Sequence, residues 1–242
     1  MKAEFRWLGE GALLVRLGEG IDPEVNARVR RLAAALDAAG IPGLVETVPT
    51  YRSVLVIFDP LITAPGALRE AVEEVLERPD VGHSPGYREI VLPVAYGGEF
   101  GPDLELVCSH TGLAPDEVVA KHAGRVYLVY MLGFLPGFAY AGDLSPELEV
   151  PRLPQPRVRV PRGSVAIAGR QTGIYSLDSP GGWMLIGRTP VPTYRPRAAE
   201  PFLLRPGDRL RFLPISPEQY RKIEAQVRTG QYRLQVKEVS PE

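Results

Sequence analysis

Cysteine is almost missing from this chain: Cys108 stands alone in 242 residues, so no disulfide can close within it and a cytoplasmic setting is expected. Lysine is scarce as well, confined to Lys2, Lys121, Lys222 and Lys237. With 28 basic and 29 acidic residues the formal charge is −1, which leaves no cationic surplus to gather phosphate backbones and argues against a nucleic-acid partner. Long apolar runs are also lacking. LVYMLGFLPGFAYAG is broken by Gly and Pro and SVLVIF is strand-sized, both short of the roughly 20 apolar residues of a spanning helix, so no membrane partner is expected. The opening MKAEFRWLGEG has no apolar core of a secretory signal.

Several catalytic signatures are absent. There is no G-x-x-x-x-G-K-[S/T] phosphate loop, no G-x-G-x-x-G, no H-E-x-x-H and no G-x-S-x-G elbow. His83, His110 and His122 are the only histidines and lack metal-ligand spacing, so no metal site is expected. Cys108 and His110, two apart on a predicted helix, point to different faces, which leaves Cys108 as a small packing residue rather than a nucleophile.

What the chain has in excess is turn formers, with 25 Gly and 25 Pro. Phe5 to Leu8 and Leu13 to Leu17 read as a hairpin about Gly9-Glu10-Gly11. Asp22 can cap a helix with Pro23 in its first turn, and Val25, Val29, Leu32 and Leu36 give that helix one apolar face. Leu44 to Val48 and Ser53 to Phe58 read as strands, and Leu68, Val72, Val75 and Leu76 as a second amphipathic helix. These elements compose a small α+β layer pair over residues 1–82. RPDVGHSPG, Arg78 to Gly86, has linker composition and separates it from a second domain, 86–242. In that second domain, short apolar runs ending in Gly or Pro argue for a β-barrel. Helices are expected near Asp103 to Ser109, Pro115 to Ala123 and Pro217 to Thr229, with a closing strand from Tyr232 to Val239.

Three segments of the second domain carry chemistry. In YLVYMLGFLPGFAY, Gly133 and Gly137 permit backbone angles denied to Phe134 and Phe138, and Pro136 stiffens the loop between them. Such a loop either fixes two rings at a site or plugs one end of a barrel. RLPQPRVRVPRG presents Arg152, Arg157, Arg159 and Arg162 on an extended strand, where alternation puts Arg157 and Arg159 on one face and Val158 and Val160 on the other. Guanidinium forks suit carboxylate or phosphate, so Arg157 and Arg159 are candidate anion binders, with a solvated strand face as the alternative. GSVAIAGRQTGIY and SPGGWMLIGRTP add Ser164, Arg170, Gln171, Thr172, Trp183 and Arg188 on Gly-rich turns. Phe134, Pro136, Phe138, Arg162, Ser164, Gln171, Trp183 and Arg188 are therefore expected to converge on one concavity of apolar walls and a few polar groups.

YGGEFGPDLE, VVAKH, YMLGFLPGFAY, VPRGSVAIAGRQTGIY and SPGGWMLIGRTP, five blocks in order, closely resemble the family that contains the B-type subunit of bacterial 5-oxoprolinase and the sporulation kinase inhibitor KipI. That family was long labelled allophanate hydrolase subunit 1, and a related module forms part of urea carboxylase. Tyr194 and Ser176 depart from its pattern, which has Phe and Pro there. The resemblance implies an α+β chain in which a small α/β N-terminal domain precedes a cyclophilin-like β-barrel. It implies a subunit, inactive alone, that works with A-like and C-like oxoprolinase subunits to open 5-oxoproline to glutamate, with ATP entering through the assembled complex. The alternative it implies is a KipI-like inhibitor that binds a sensor histidine kinase.

Overall fold

A computed structural model describes residues 3–78 and 86–239. His83 and most of the proposed linker lie outside the described residues. By its internal contacts the chain divides into two compact units at Gly86 and Tyr87.

In the first unit, β1 (Glu4–Trp7), β2 (Ala12–Arg16), β3 (Leu44–Pro49) and β4 (Ser53–Phe58) form an antiparallel sheet in the order β1-β2-β4-β3. Alternation sends Leu13 and Val15 of β2 and Val54, Val56 and Phe58 of β4 to one buried face. The helices α1 (Pro23–Ala38) and α2 (Pro65–Glu77) supply Val25, Val29, Leu32, Leu36, Leu68, Val72 and Val75 to the same core. The Asp22 carboxylate accepts from the Glu24 and Val25 amides at 2.8 and 3.0 Å, which fixes the start of α1.

The second unit holds β5 (Tyr87–Tyr96), α3 (Leu104–Thr111), α4 (Pro115–Ala123), β6 (Val126–Leu132) and β7 (Ala139–Gly142). After a short 3-10 turn come β8 (Arg157–Val160), β9 (Ser164–Ala168), β10 (Gln171–Ile174), β11 (Ser179–Gly181) and β12 (Met184–Arg188). The chain ends its described part with β13 (Arg209–Pro214), α5 (Pro217–Arg228) and β14 (Gln235–Val239). Seven strands run in the order β12-β9-β10-β7-β6-β13-β5, and Gly187 and Arg188 of β12 pair with Tyr96 and Ala95 of β5 to close a barrel. The β5–β13 pair is parallel, Arg209 opposite Glu89 through Pro214 opposite Val94, and β14 adds to the first half of β5. The expected α+β chain, a small α/β unit followed by a β-barrel, is the fold observed.

The closing strand begins at Gln235, not Tyr232, since Tyr232 is still bonded to the end of α5 through its amide and the Gln226 carbonyl. The strand of arginines also departs from expectation. Among the described residues β8 pairs only with β11, in a ribbon outside the barrel, so Val158 is 90% exposed while Val160 is fully buried. A two-stranded ribbon has no second layer to cover Val158, and the even apolar face expected from alternation does not form.

Candidate functional site

Along β9 the side chains alternate across the barrel wall: Val165 and Ile167 enter the barrel core, while Ala166 and Ala168 join a separate outer cluster with Phe138, Val160, Tyr175, Trp183 and Leu185. The two alanines leave room for large rings on the outer wall. Phe138 is the hub, with Tyr140 at 4.8 Å, Tyr175 at 5.0 Å, Phe134 at 5.6 Å and Trp183 at 5.7 Å, all edge to face. That geometry sets positive ring edges against negative ring faces and holds the rings without collapse into a stack. Between them and the β8–β11 ribbon lies a cavity of about 250 Å³, lined also by Arg152, Pro156, Pro180, Gly181 and Gly182.

Glycine is required at two points of this cluster. A Cβ on Gly173 would stand 3.0 Å from Phe138 Cζ and 3.1 Å from Trp183 Cζ3, and one on Gly181 would run into the Tyr175 hydroxyl. The loop that delivers Phe134 differs from expectation. Gly137 takes a positive φ of 76°, but at the other end it is Phe134 itself, not Gly133, that does so, at 63°. The Leu135 amide donates to the Gly133 carbonyl at 2.7 Å across Phe134, a tight three-residue turn of the strained hand. Its result is a ring that is 62% exposed at the cavity mouth. Burial raises the Tyr140 and Tyr175 pKa values, opposed by the Arg152 charge at Tyr140 and by a hydrogen bond with the Trp183 backbone and then Arg152 at Tyr175, so both hydroxyls stay protonated at neutral pH.

A second cavity, about 720 Å³, opens between the β12 end, the Pro190–Thr193 segment and α5. Its charged wall is Arg159, Arg162, Arg188, Arg221 and Arg228 against Asp178 and Glu224. Asp178 takes Arg159 through Nε at 3.0 Å and Nη2 at 2.6 Å and accepts the Arg162 amide at 2.7 Å; the amide first, then the guanidinium, holds its carboxyl below the usual range. Arg221 pairs with Glu99 at 3.1 Å. Arg162, Arg188 and Arg228 have no carboxylate partner among the described residues. The Arg188 Nε and the Thr193 hydroxyl are buried with no hydrogen-bond partner among the described residues, donors left for a ligand oxygen. Burial and Glu224 push the Tyr220 pKa up, and the Arg188 and Arg162 charges and a hydrogen bond with the Arg188 side chain pull it back.

The eight residues expected in one concavity are thus divided. Phe134, Phe138 and Trp183 line the aromatic cavity, and Arg162 and Arg188 the arginine groove; Tyr175 faces the first and its neighbour Ser176 the second. Pro136 contributes its carbonyl, which accepts the Ser176 hydroxyl at 2.6 Å. Ser164 is fully buried in β9 and Gln171 sits in β10, and neither lines the two cavities. Arg159 and Arg157 already hold carboxylates of their own chain, Asp178 and Asp103. Asp103, buried, also accepts the Leu185 amide at 2.7 Å, so the Arg157 pair ties the ribbon to the barrel. Sequence reasoning missed Tyr140 and Tyr175 in the cavity wall; the small pair Ala166 and Ala168 in VAIA is the signal that marks an outer face open to rings. No group of three or more His, Cys, Asp or Glu side chains among the described residues is placed to hold a metal ion.

The model of the carboxyltransferase domain, subdomains C and D, matches residues 3–204. The B-type subunit of 5-oxoprolinase from Bacillus subtilis is 40% identical over 230 residues, 91% of this chain and 96% of that protein. The chain belongs to this family. Among solved structures, the protein TTHA0988 is 43% identical with a TM-score of 0.75, covering 85% of this chain and 40% of that one. The Kluyveromyces lactis urea amidolyase superposes with a TM-score of 0.82 over 98% of this chain and 16% of its own, at 23% identity, a likeness of fold. In both solved structures the family unit is a part of a longer chain, whereas it makes up nearly all of the Bacillus subtilis protein.

Proposed function

We propose that this chain is the B-like subunit of an ATP-dependent 5-oxoprolinase, which opens 5-oxoproline to glutamate together with A-like and C-like subunits. The observation that carries the reading is the 40% identity to a B-type 5-oxoprolinase subunit across 96% of that protein. The family unit also occurs inside longer chains at 43% identity, as expected of a module that works beside other domains. A five-membered lactam is a stable amide, and ATP bound in the complex supplies the phosphoryl group that activates its carbonyl toward water. Arg162, Arg188 and Arg228, without a carboxylate partner among the described residues, fit phosphoryl oxygens: guanidinium forks match them in geometry, and the buried Arg188 Nε has no acceptor among those residues. The groove then orients an anion in a site of low dielectric, where each charge-assisted bond counts for more than in water. A cytoplasmic location fits this reading; no helix among the described residues is long and apolar enough to cross a membrane.

The test is reconstitution. The purified chain, mixed with A-like and C-like proteins encoded beside it, is assayed for ATP-dependent release of glutamate from 5-oxoproline. Turnover is expected only with all three components. Turnover by the isolated chain, or none by the complex while the chain instead arrests autophosphorylation of a histidine kinase, would overturn the reading.

A further inference from the structure

The aromatic cavity on the outer barrel wall selects its occupant by charge and size. Among the described residues its lining holds five aromatic rings and no carboxylate, and Arg152 is the one charged side chain on it. Aromatic faces alone attract cations, but here the Arg152 guanidinium already stands over the Trp183 ring at 5.9 Å and repels a second positive charge. Arg152 has no ion pair among the described residues, in contrast to Arg157 and Arg159, which bond the Asp103 and Asp178 carboxylates. Its donors are therefore left for an anion from outside. The protonated hydroxyls of Tyr140 and Tyr175 add neutral polar groups beside an otherwise apolar box. At about 250 Å³ the space falls below the ~300–1,000 Å³ of pockets for drug-sized ligands, so it suits one small ring and excludes a nucleotide.

We propose that this cavity binds the ring acid itself: a five-membered cyclic amide whose ring lies among Phe138, Tyr140, Tyr175 and Trp183 and whose carboxylate is held by Arg152. The identity of the ligand as 5-oxoproline rests on the 5-oxoprolinase reading; the chemical class, a small cyclic monocarboxylate, rests on the cavity. Recognition of the acid is then separated from the arginine groove, with the Tyr175-Ser176 step of the chain as the wall between the two. Arg152 is a specificity residue in this scheme. A ligand without the carboxylate loses the bond, and the box alone has little to hold it.

Trp183 reports on the cavity directly, and Trp7, the other tryptophan, lies in the first unit, so Trp7→Phe leaves a single reporter. In that background the full chain is titrated with sodium 5-oxoproline and with 5-oxoprolinamide, which has the ring and no charge. A saturable change of Trp183 emission is expected with the acid. The amide, or Arg152→Ala with the acid, should bind at least about tenfold more weakly, and Arg152→Ala should not change binding of the amide further. Arg152 is exposed, so the variant keeps the wild-type melting temperature and the comparison stays valid. No saturable change with the acid, equal affinity for acid and amide, or tighter binding of a short peptide ending in a free carboxylate overturns the proposal. The two readings fail separately. An active complex whose KM for 5-oxoproline is unchanged by Arg152→Ala removes the cavity and spares the enzyme; Arg152-dependent binding of the acid in a chain whose complex has no oxoprolinase activity does the reverse.

Discussion

His122 Nε2 lies 2.9 Å from the Thr172 hydroxyl, and that hydroxyl gives its own proton to the Ala166 carbonyl at 3.1 Å, so the ring must be the donor. Its Nδ1 then accepts the Tyr96 hydroxyl at 2.8 Å, while Phe212 stacks on the ring at 4.6 Å. Every polar atom of the imidazole is satisfied in its neutral form. Burial lowers its pKa from 6.5 to about 3, and the unfolded chain takes up a proton that the folded one refuses. A folded pKa below the unfolded one gives stability that is complete above pH 6.5 and lost as pH falls toward 3, at up to ~1.4 kcal/mol per pH unit for this one group. Urea unfolding at a series of pH values should show that slope in the wild type and a shallower one in His122→Gln. Equal slopes would mean the ring is already protonated in the fold.

The Asp103–Arg157 pair is expected to serve stability rather than anion binding. Removing the carboxylate in Asp103→Ala strands both the Arg157 guanidinium and the Leu185 amide, and should lower stability by about 3–5 kcal/mol. Arg157→Met leaves Asp103 its amide bond and should lower it less. Denaturant midpoints give the order, and the reconstituted activity of folded Arg157→Met protein should equal wild type. A large loss of activity at unchanged stability would return Arg157 to the site.

Gly181→Ala tests the geometry of the aromatic cluster. The new methyl meets the Tyr175 hydroxyl, with the Tyr175 ring carbons 2.7 Å away, so the ring must move against Phe138. Overpacking of this kind costs about 1–3 kcal/mol, and it should also change Trp183 emission through the shared cluster. A variant that melts with the wild type would show that the ring has room the structure does not give it.

The strands and helices were legible because their apolar residues repeat at the periods of their own geometry, as in Leu13, Val15 and Val54, Val56, or Val25, Val29, Leu32 and Leu36. What was not legible depends on distance along the chain. The parallel pairing of β5 with β13 joins residues more than a hundred positions apart, and no local pattern encodes it. The same holds for the site. The aromatic and arginine segments were visible in sequence, but their division into two cavities follows from β8 leaving the barrel to pair with β11. Which arginine is spent on a carboxylate of its own chain depends on Asp103 and Asp178, 54 and 19 residues from their partners. Arg152 and Arg157 each follow a proline and precede an aliphatic residue, and nothing in that local pattern separates them. They differ in what the fold sets opposite them.

Phe134 sets stability against function. A phenylalanine at φ 63° is strained by about 1–3 kcal/mol relative to a residue that accepts that angle, and its ring repays little by packing, since it is 62% exposed. The strain persists because the Gly133–Leu135 bond on one side and the Phe138 amide bond to the Leu135 carbonyl on the other, at 3.0 Å, fix the turn. Phe134→Gly relieves the angle at the expense of a freer unfolded chain and of one edge-to-face contact with Phe138. The net expectation is a melting temperature equal to or above that of the wild type, together with weaker binding of 5-oxoproline in the Trp183 titration, because the mouth of the cavity loses a wall. Phe134→Leu keeps the strain and shortens the wall, so it should weaken binding with little change in stability. If the glycine variant instead unfolds more readily while binding is unchanged, the ring serves the fold and the strained turn has another cause.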